Sequence, residues 1–200
     1  MEFTLVFGSM EPVDRFEFEK ISMWLTGHQD YQWLQICQPD LDHIQYRCLV
    51  TEMTPISVGW LPYAFKATVT CDCPYAYGHY FENTYDISGS QKFVFSNRGS
   101  VREYFKPNLL IHLGSGTTDM KIINHTDADR EFSLAGLPTG DIDVIVDNNC
   151  GIIQDGNGEY NLYRFFNMNF FRLLPGDNNL EIVGDCTLKI SGRFLHNIGG

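Results

Sequence analysis

The sequence predicts a mostly β protein of two domains. The first, residues 1–85, is β-rich with one short helix; the second, residues 86–200, is an antiparallel β-sandwich. Three observations carry this reading. Apolar residues recur at every second position in many short runs, Gly, Asn, Asp or Pro punctuates almost every gap, and helical spacing occurs only once, near the N-terminus. With 44% hydrophobic and 14% aromatic residues the chain has ample material for a buried core and is no candidate for disorder.

Taken in order, "EFTLVF" alternates as a strand. The segment "EPVDRFEFEKISMWLTG" reads two ways: Phe16 and Phe18 alternate as in a strand, whereas Phe18, Ile21, Trp24 and Leu25 fall on one side of a helix. Pro12 before it and Gly27 after it are helix punctuation, so a short amphipathic helix is expected. "YQWLQIC", "IQYRCLVTEM" and "YAFKATVTCDC" follow as strands, separated by Gln-Pro-Asp and Gly-Trp-Leu-Pro turns. "DCPYAYGHYFENTYDISGSQ" then breaks the rhythm for longer than a casual loop, which places the domain boundary near residue 85.

Beyond it, "KFVFSN", "NLLIHLG", "DMKIIN", "REFSLAG", "DIDVIVDNN", "CGIIQD", "NLYRFFNMNFF" and "NLEIVGDCTLKISGRF" read as short strands at nearly even spacing. In "GDIDVIVD", Ile142, Val144 and Val146 face inward and Asp141, Asp143 and Asp147 face water. A one-residue slip would bury three carboxylates, so register is well specified. Pro175 and Gly176 are expected to turn the chain out of an aromatic strand holding Phe165, Phe166, Phe170 and Phe171. Leu180 and Ile182 should return antiparallel to it, with Asn178 or Asn179 bonding the local backbone.

Composition excludes several function classes. Fourteen Lys and Arg against 25 Asp and Glu give a net charge of −11, which disfavours nucleic-acid recognition through a basic patch. No apolar run approaches a membrane-spanning length, and the first residues lack a signal peptide's basic region. The expectation is a protein made and kept in the cytosol. The first strand begins with no lead-in, which leaves open that the chain is a piece of a longer protein with an incomplete first domain.

No catalytic, cofactor or metal site emerges. Cys71 and Cys73 continue the apolar row of Phe65, Ala67 and Val69, so they read as buried hydrophobes; a metal pair completed by His79 lacks a second ligand pair at finger spacing. "HLGSGTTD" has neither nucleophile-elbow spacing nor the Lys-Ser/Thr of a phosphate loop. Asp155, Asn157 and Glu159 faintly resemble a calcium loop, but Asp-Gly-Asn-Gly is a hairpin turn first. Asp141 and Asp143, as a glycosidase-like pair, share a solvated strand face; His112 is a lone strand histidine; the sequon at Asn124 lacks a secretory context. Sugar binding by the sandwich is a competing reading. All three tryptophans, Trp24, Trp33 and Trp60, precede the boundary, which weakens it, and Tyr104, Tyr160 and Tyr163 are left as the rings to stack a glycan.

In order along the chain, "ISMWLTG", "YRCLVTEMTPIS", "TCDCPYAYG", "FSNRGSVREYFKPNLLIHL" and "FFRLLPGDNNLEIVG" resemble the motifs of phage distal tail proteins. Ser100 stands where Thr is usual in the family's Asn-x-Gly-Thr…Pro strand, and residues 173–180 match its Leu-x-Pro-Gly-x-Asn-x-Leu motif. The resemblance spans almost the whole chain. It implies a non-enzymatic structural component of a phage or prophage tail tip, with a ring-forming first domain, typically hexameric, and a galectin-like second domain. The implied partners are the tail tube, the tail-tip hub and receptor-binding proteins, in a virion assembled in the bacterial cytoplasm. A negatively charged lumen would keep DNA from adhering during ejection. The alternative function is a carbohydrate-binding module attaching to cell-wall glycan through the second domain.

Overall fold

The structure, a computed structural model, describes residues 1–198. The chain divides into two compact units, Met1–Tyr77 with Asn197 and Ile198 from the chain end, and Gly78–His196. The expected boundary at residue 85 falls inside a strand of the second unit.

In the first unit, β1 (Glu2–Gly8) is followed by helix α1 (Arg15–Thr26), β2 (Gln32–Leu34), β3 (Ile44–Val58) and β4 (Leu61–Cys71), and β5 (Ala76–Gly78) carries the chain out. The sheet runs β1-β4-β3, with β2 also on β3. Its small core comes from the alternation anticipated in the sequence. Phe65, Ala67, Val69 and Cys71 of β4 and Ile44, Tyr46 and Cys48 of β3 are buried. The cysteine row ends earlier than expected, because β4 stops at Cys71 and Cys73 is only half-buried.

Helix α1 is where the helical reading placed it. Asp14 caps it, its carboxylate accepting the Glu17 amide at 2.8 Å, while Glu17 Oε2 accepts the Asp14 amide at 3.2 Å. Yet no residue of the helix is fully buried; Phe18, stacked on Phe65 at 5.3 Å, is its firmest contact. A 12-residue helix with so little burial is marginal by itself, so its cap matters. Asp14→Ala is expected to remove about 1 kcal/mol of helix stability. Amide hydrogen exchange should then rise across residues 15–26 and not in the second unit.

The second unit holds β6 (Phe81–Ile87), β7 (Ser90–Asn97), β8 (Asn108–Leu113), β9 (Met120–Asn124), β10 (Arg130–Leu134), β11 (Ile142–Asp147), β12 (Ile152–Asp155), β13 (Gly176–Val183), β14 (Cys186–Gly192) and β15 (Leu195–His196). Two antiparallel sheets, β10-β9-β13-β7 and β12-β11-β8-β14-β6, enclose one apolar core. Leu109, Ile111 and Leu113 of β8 meet Ile142, Val144 and Val146 of β11 as neighbours in one sheet, and Ile122, Leu180 and Ile182 supply the other wall.

Two expectations are corrected here. "NLYRFFNMNFF" is not a strand but a 3-10 turn, Leu162–Arg164, followed by irregular chain that touches the sheet at a single bridge, Leu134 to Phe166. Its buried residues, Leu162, Phe166, Phe171 and Leu173, do not alternate. Backbone bonds flank only that bridge, from the Ala135 amide to the Phe165 carbonyl and from the Asn167 amide to the Ser133 carbonyl, and beyond it asparagine side chains take over: Asn167 and Asn169 both donate to the Glu131 carbonyl. Consequently β13 does not return on an aromatic strand; it pairs with β7 and β9 at the centre of its sheet. The apparent break at residues 72–91 also contains β5 and β6. β6 is an edge strand with only Ile87 fully buried, so its periodicity is faint.

Candidate functional site

Several of the polar side chains singled out in the sequence hold structural positions. Cys48 and Cys71 face each other across β3 and β4, and burial pushes the Cys48 thiol up to about 11 and raises Cys71, which keeps both protonated. Cys73 donates its thiol proton to the Tyr75 carbonyl, and His79 is exposed. Among the described residues no three His, Cys, Asp or Glu side chains cluster as metal ligands would. Asp155 is buried, and its carboxylate accepts the backbone amides of Asn157, Glu159 and Tyr160, as a turn-closing aspartate does. Asp143 bonds His112 across the strands at 2.8 Å, while Asp141 is exposed. The sequon residue Asn124 is 1% exposed, so its amide cannot accept a glycan.

That amide belongs instead to the motif at residues 173–180. Asn178 is 0% exposed. Its amide nitrogen donates to the carbonyls of Leu174 and Gly176, both at 2.9 Å, and its oxygen accepts the Leu174 amide at 2.8 Å and Asn124 Nδ2 at 2.9 Å. Asn178 is therefore the clip that closes the Pro-Gly corner and ties β13 to the end of β9. Beside it, His125 lies between two carboxylates, Asp129 at Nδ1 and Glu181 at Nε2 (2.9 Å), and Glu181 also meets Lys92 at 3.2 Å and Ser90.

Hydrogen bonds to Asp129 and then Glu181 raise His125 above its ordinary 6.5, and the bond to His125 holds Glu181 below its ordinary 4.5. A raised histidine stabilises fully below pH 6.5 and loses that contribution as pH rises through its folded value. A depressed glutamate stabilises above pH 4.5 and loses its share as pH falls through its lower folded value. The network is thus complete between these limits and loosens toward alkaline pH. An imidazole NMR titration should place the His125 midpoint above 6.5 in the folded protein. A midpoint at or below that value would show the carboxylates do not hold the proton.

Two of the three rings named for sugar stacking, Tyr104 and Tyr163, are engaged with neighbours. The Arg172 guanidinium lies 3.8 Å over the Tyr104 ring, and the Tyr163 hydroxyl accepts the Ile153 amide and donates to the Gly151 carbonyl.

The exposed apolar surface is concentrated on the first unit. β3 and β4 continue far beyond their buried bases, and from Thr51 to Leu61 every residue but Met53 is exposed. At the hairpin tip, Gly59 and Trp60 have φ of 58° and 74°, a two-residue turn with both residues left-handed. A tryptophan there is strained, by roughly 1–2 kcal/mol, and it is 98% exposed. Val58 and Leu61 beside it are exposed too. On the same unit an apolar groove of ≈ 440 Å³ is lined by Leu5, Phe7, Trp24, Leu25, Trp33 and Val50, among others, with Trp24 71% exposed. Sequence reasoning located the three tryptophans in the first domain, but the exposure and positive φ of Trp60 carried no signal beyond the Gly-Trp turn itself.

Comparisons with known proteins agree with this architecture. Residues 1–73 match the family described as "Phage tail protein N-terminal domain", and residues 75–192 match "Phage tail C-terminal domain". No curated protein matches the chain in sequence. Among solved structures, the crystal structure of Dit (gp 19.1) of phage SPP1, described as a paradigm of the hub adsorption apparatus in Gram-positive-infecting phages, is similar in fold. It has a TM-score of 0.62 and 17% identity, covering 97% of this chain and 78% of that one. The chain belongs to the phage tail protein family defined by these N- and C-terminal domains, and it has the fold of a distal tail protein.

Proposed function

We propose that this protein is a non-enzymatic structural component of a phage or prophage tail tip that acts by oligomerising through its first unit. In this reading copies form a ring, hexameric as in the family it resembles, joining the tail tube to the tip hub. The second unit then presents a docking surface for receptor-binding proteins. The ring is assembled in the bacterial cytoplasm and resides in the virion.

Trp60 is the observation that carries the proposal. A tryptophan that is both strained and solvated is disfavoured in a monomer and explicable as an anchor for a partner. The partner surface it fits is the apolar groove of a second copy. Trp60 lies ten residues beyond Val50 along β3, so its own groove is up to roughly 30 Å away along the strand. A knob and a groove at separate places on one unit make a head-to-tail contact, and such contacts form a ring when the rotation between successive copies closes. The first unit's acidity, ten Asp and Glu against four Lys and Arg, is the basis for a negative lumen that repels DNA.

Size-exclusion chromatography with light scattering on the purified chain tests the proposal. A closed oligomer supports it; a monomer at high concentration counts against it. A monomer that binds tightly on a cell-wall glycan array would favour the carbohydrate-binding alternative instead.

A further inference from the structure

One surface of this acidic chain is basic, and it lies in the second unit. In the second unit a cavity of ≈ 350 Å³ is lined by Lys106, Arg130 and Arg172, with Phe170 and Met168 as its apolar wall. Three of the unit's ten Lys and Arg converge here although the unit carries fifteen Asp and Glu.

Their partners are unequal. Arg172 is neutralised by a two-point pair with Asp127, at 2.7 and 3.1 Å, and stacks on Tyr104. Among the described residues Arg130 makes no ion pair, although the Asp127 carboxylate held by Arg172 lies near enough to favour its charge. Arg130 Nε and Nη2 both donate to one carbonyl, that of Phe170, at 3.3 and 3.2 Å, which leaves most of its five N–H groups unanswered. Lys106 is exposed and makes no ion pair or hydrogen bond among the described residues. Burial, and then the neighbouring Arg172, depress the proton affinity of Arg130, as expected where a half-buried cation faces another. Most of the remaining polar lining is engaged within the chain. Asn148 donates to the Pro107 carbonyl and accepts the Phe171 amide, and the amides of Asn149 and Cys150 donate to Asp147.

We propose that this cavity is a phosphate-binding site, with Arg130 and Lys106 as its ligands and Arg172 as a fixed positive wall. Two cations outside any ion pair, Lys106 and Arg130, beside a third already held by Asp127, suit the charge of roughly −1.5 to −2 on a phosphate monoester. A carboxylate would leave one of them unanswered, whereas a phosphate's three terminal oxygens can meet a guanidinium fork and an ammonium together. Phe170 and Met168 are placed to cover the carbon skeleton of an ester.

The test is an NMR titration of the arginine Nε–Hε signals of the full chain with glycerol 3-phosphate, inorganic phosphate and acetate at matched ionic strength. The expected result is a saturable shift of the Arg130 signal by the two phosphates and not by acetate. Arg130→Gln and Lys106→Gln should each weaken binding by about tenfold, and the double variant should abolish it. Equal affinity of the two phosphates assigns the site to phosphate itself, and tighter binding of the ester assigns it to a phosphorylated carbon skeleton. Absence of saturation by about 10 mM, an equal response to acetate, or undiminished binding in a folded double variant would overturn the proposal.

Discussion

Asn178→Ala is expected to lower the stability of the second unit by about 3 kcal/mol. The side chain has no exposed surface, and it answers four polar groups at once: the Leu174 amide, the Leu174 and Gly176 carbonyls, and Asn124 Nδ2. Truncation removes all four partners and leaves a hole too closed for solvent to repair freely. Asn124 is itself 1% exposed and keeps only the Arg172 carbonyl for its amide nitrogen. For a unit of this size the melting temperature should fall by roughly 10–15 °C. Asn178→Asp should be no better, because a carboxylate still accepts from Leu174 and Asn124 but cannot donate to the two carbonyls. Asn179→Ala is the control, since that side chain is exposed and only its backbone amide is engaged, with Thr126 Oγ1. Calorimetry on the three variants decides the matter. A shift for Asn178→Ala within about 2 °C of wild type would mean that the corner closes without its clip.

The same residue shows where the sequence was informative. The Pro-Gly-Asp-Asn corner announced a turn, and an Asn bonding its own backbone was foreseeable from side-chain chemistry. Its long-range bond to Asn124 was not, because nothing local pairs two asparagines so far apart. In β11, Ile142, Val144 and Val146 alternate with an outward row of Asp141, Asp143, Ile145 and Asp147, so one face had to be buried and the strand was legible. The aromatic stretch after Leu162 had the composition of a strand without its period; asparagine side chains took the backbone bonds, and the chain curled instead. β6 failed in the opposite direction, since an edge strand with one fully buried residue leaves little pattern to read. The basic cavity was illegible for a simpler reason. Lys106, Arg130 and Arg172 come from three distant parts of the chain, and only the folded sandwich brings them to one wall.

The largest expected effect on function comes from Trp60→Gly, and its sign on stability differs from its sign on assembly. Glycine occupies the left-handed region without strain, and Gly59 already does so at the neighbouring position. The ring is 98% exposed, so among the described residues its removal sacrifices little packing, and the isolated chain should melt at the same temperature or slightly higher. Assembly should suffer. An aromatic anchor filling a partner's groove is worth at least about 2 kcal/mol, which weakens each contact roughly thirtyfold. In a closed ring every subunit loses its contact at once, so the oligomer should give way to monomer over the concentrations at which wild type is fully assembled. Val50→Asp or Leu5→Asp, placed in the groove, should dissociate the ring by the complementary route, although these half-buried positions also carry a folding cost. Light scattering with parallel melting curves separates the two effects. A Trp60→Gly protein that is folded and still fully oligomeric would show that the hairpin tip is not the anchor. One that is monomeric but less stable would show that the ring was serving the fold of its own chain.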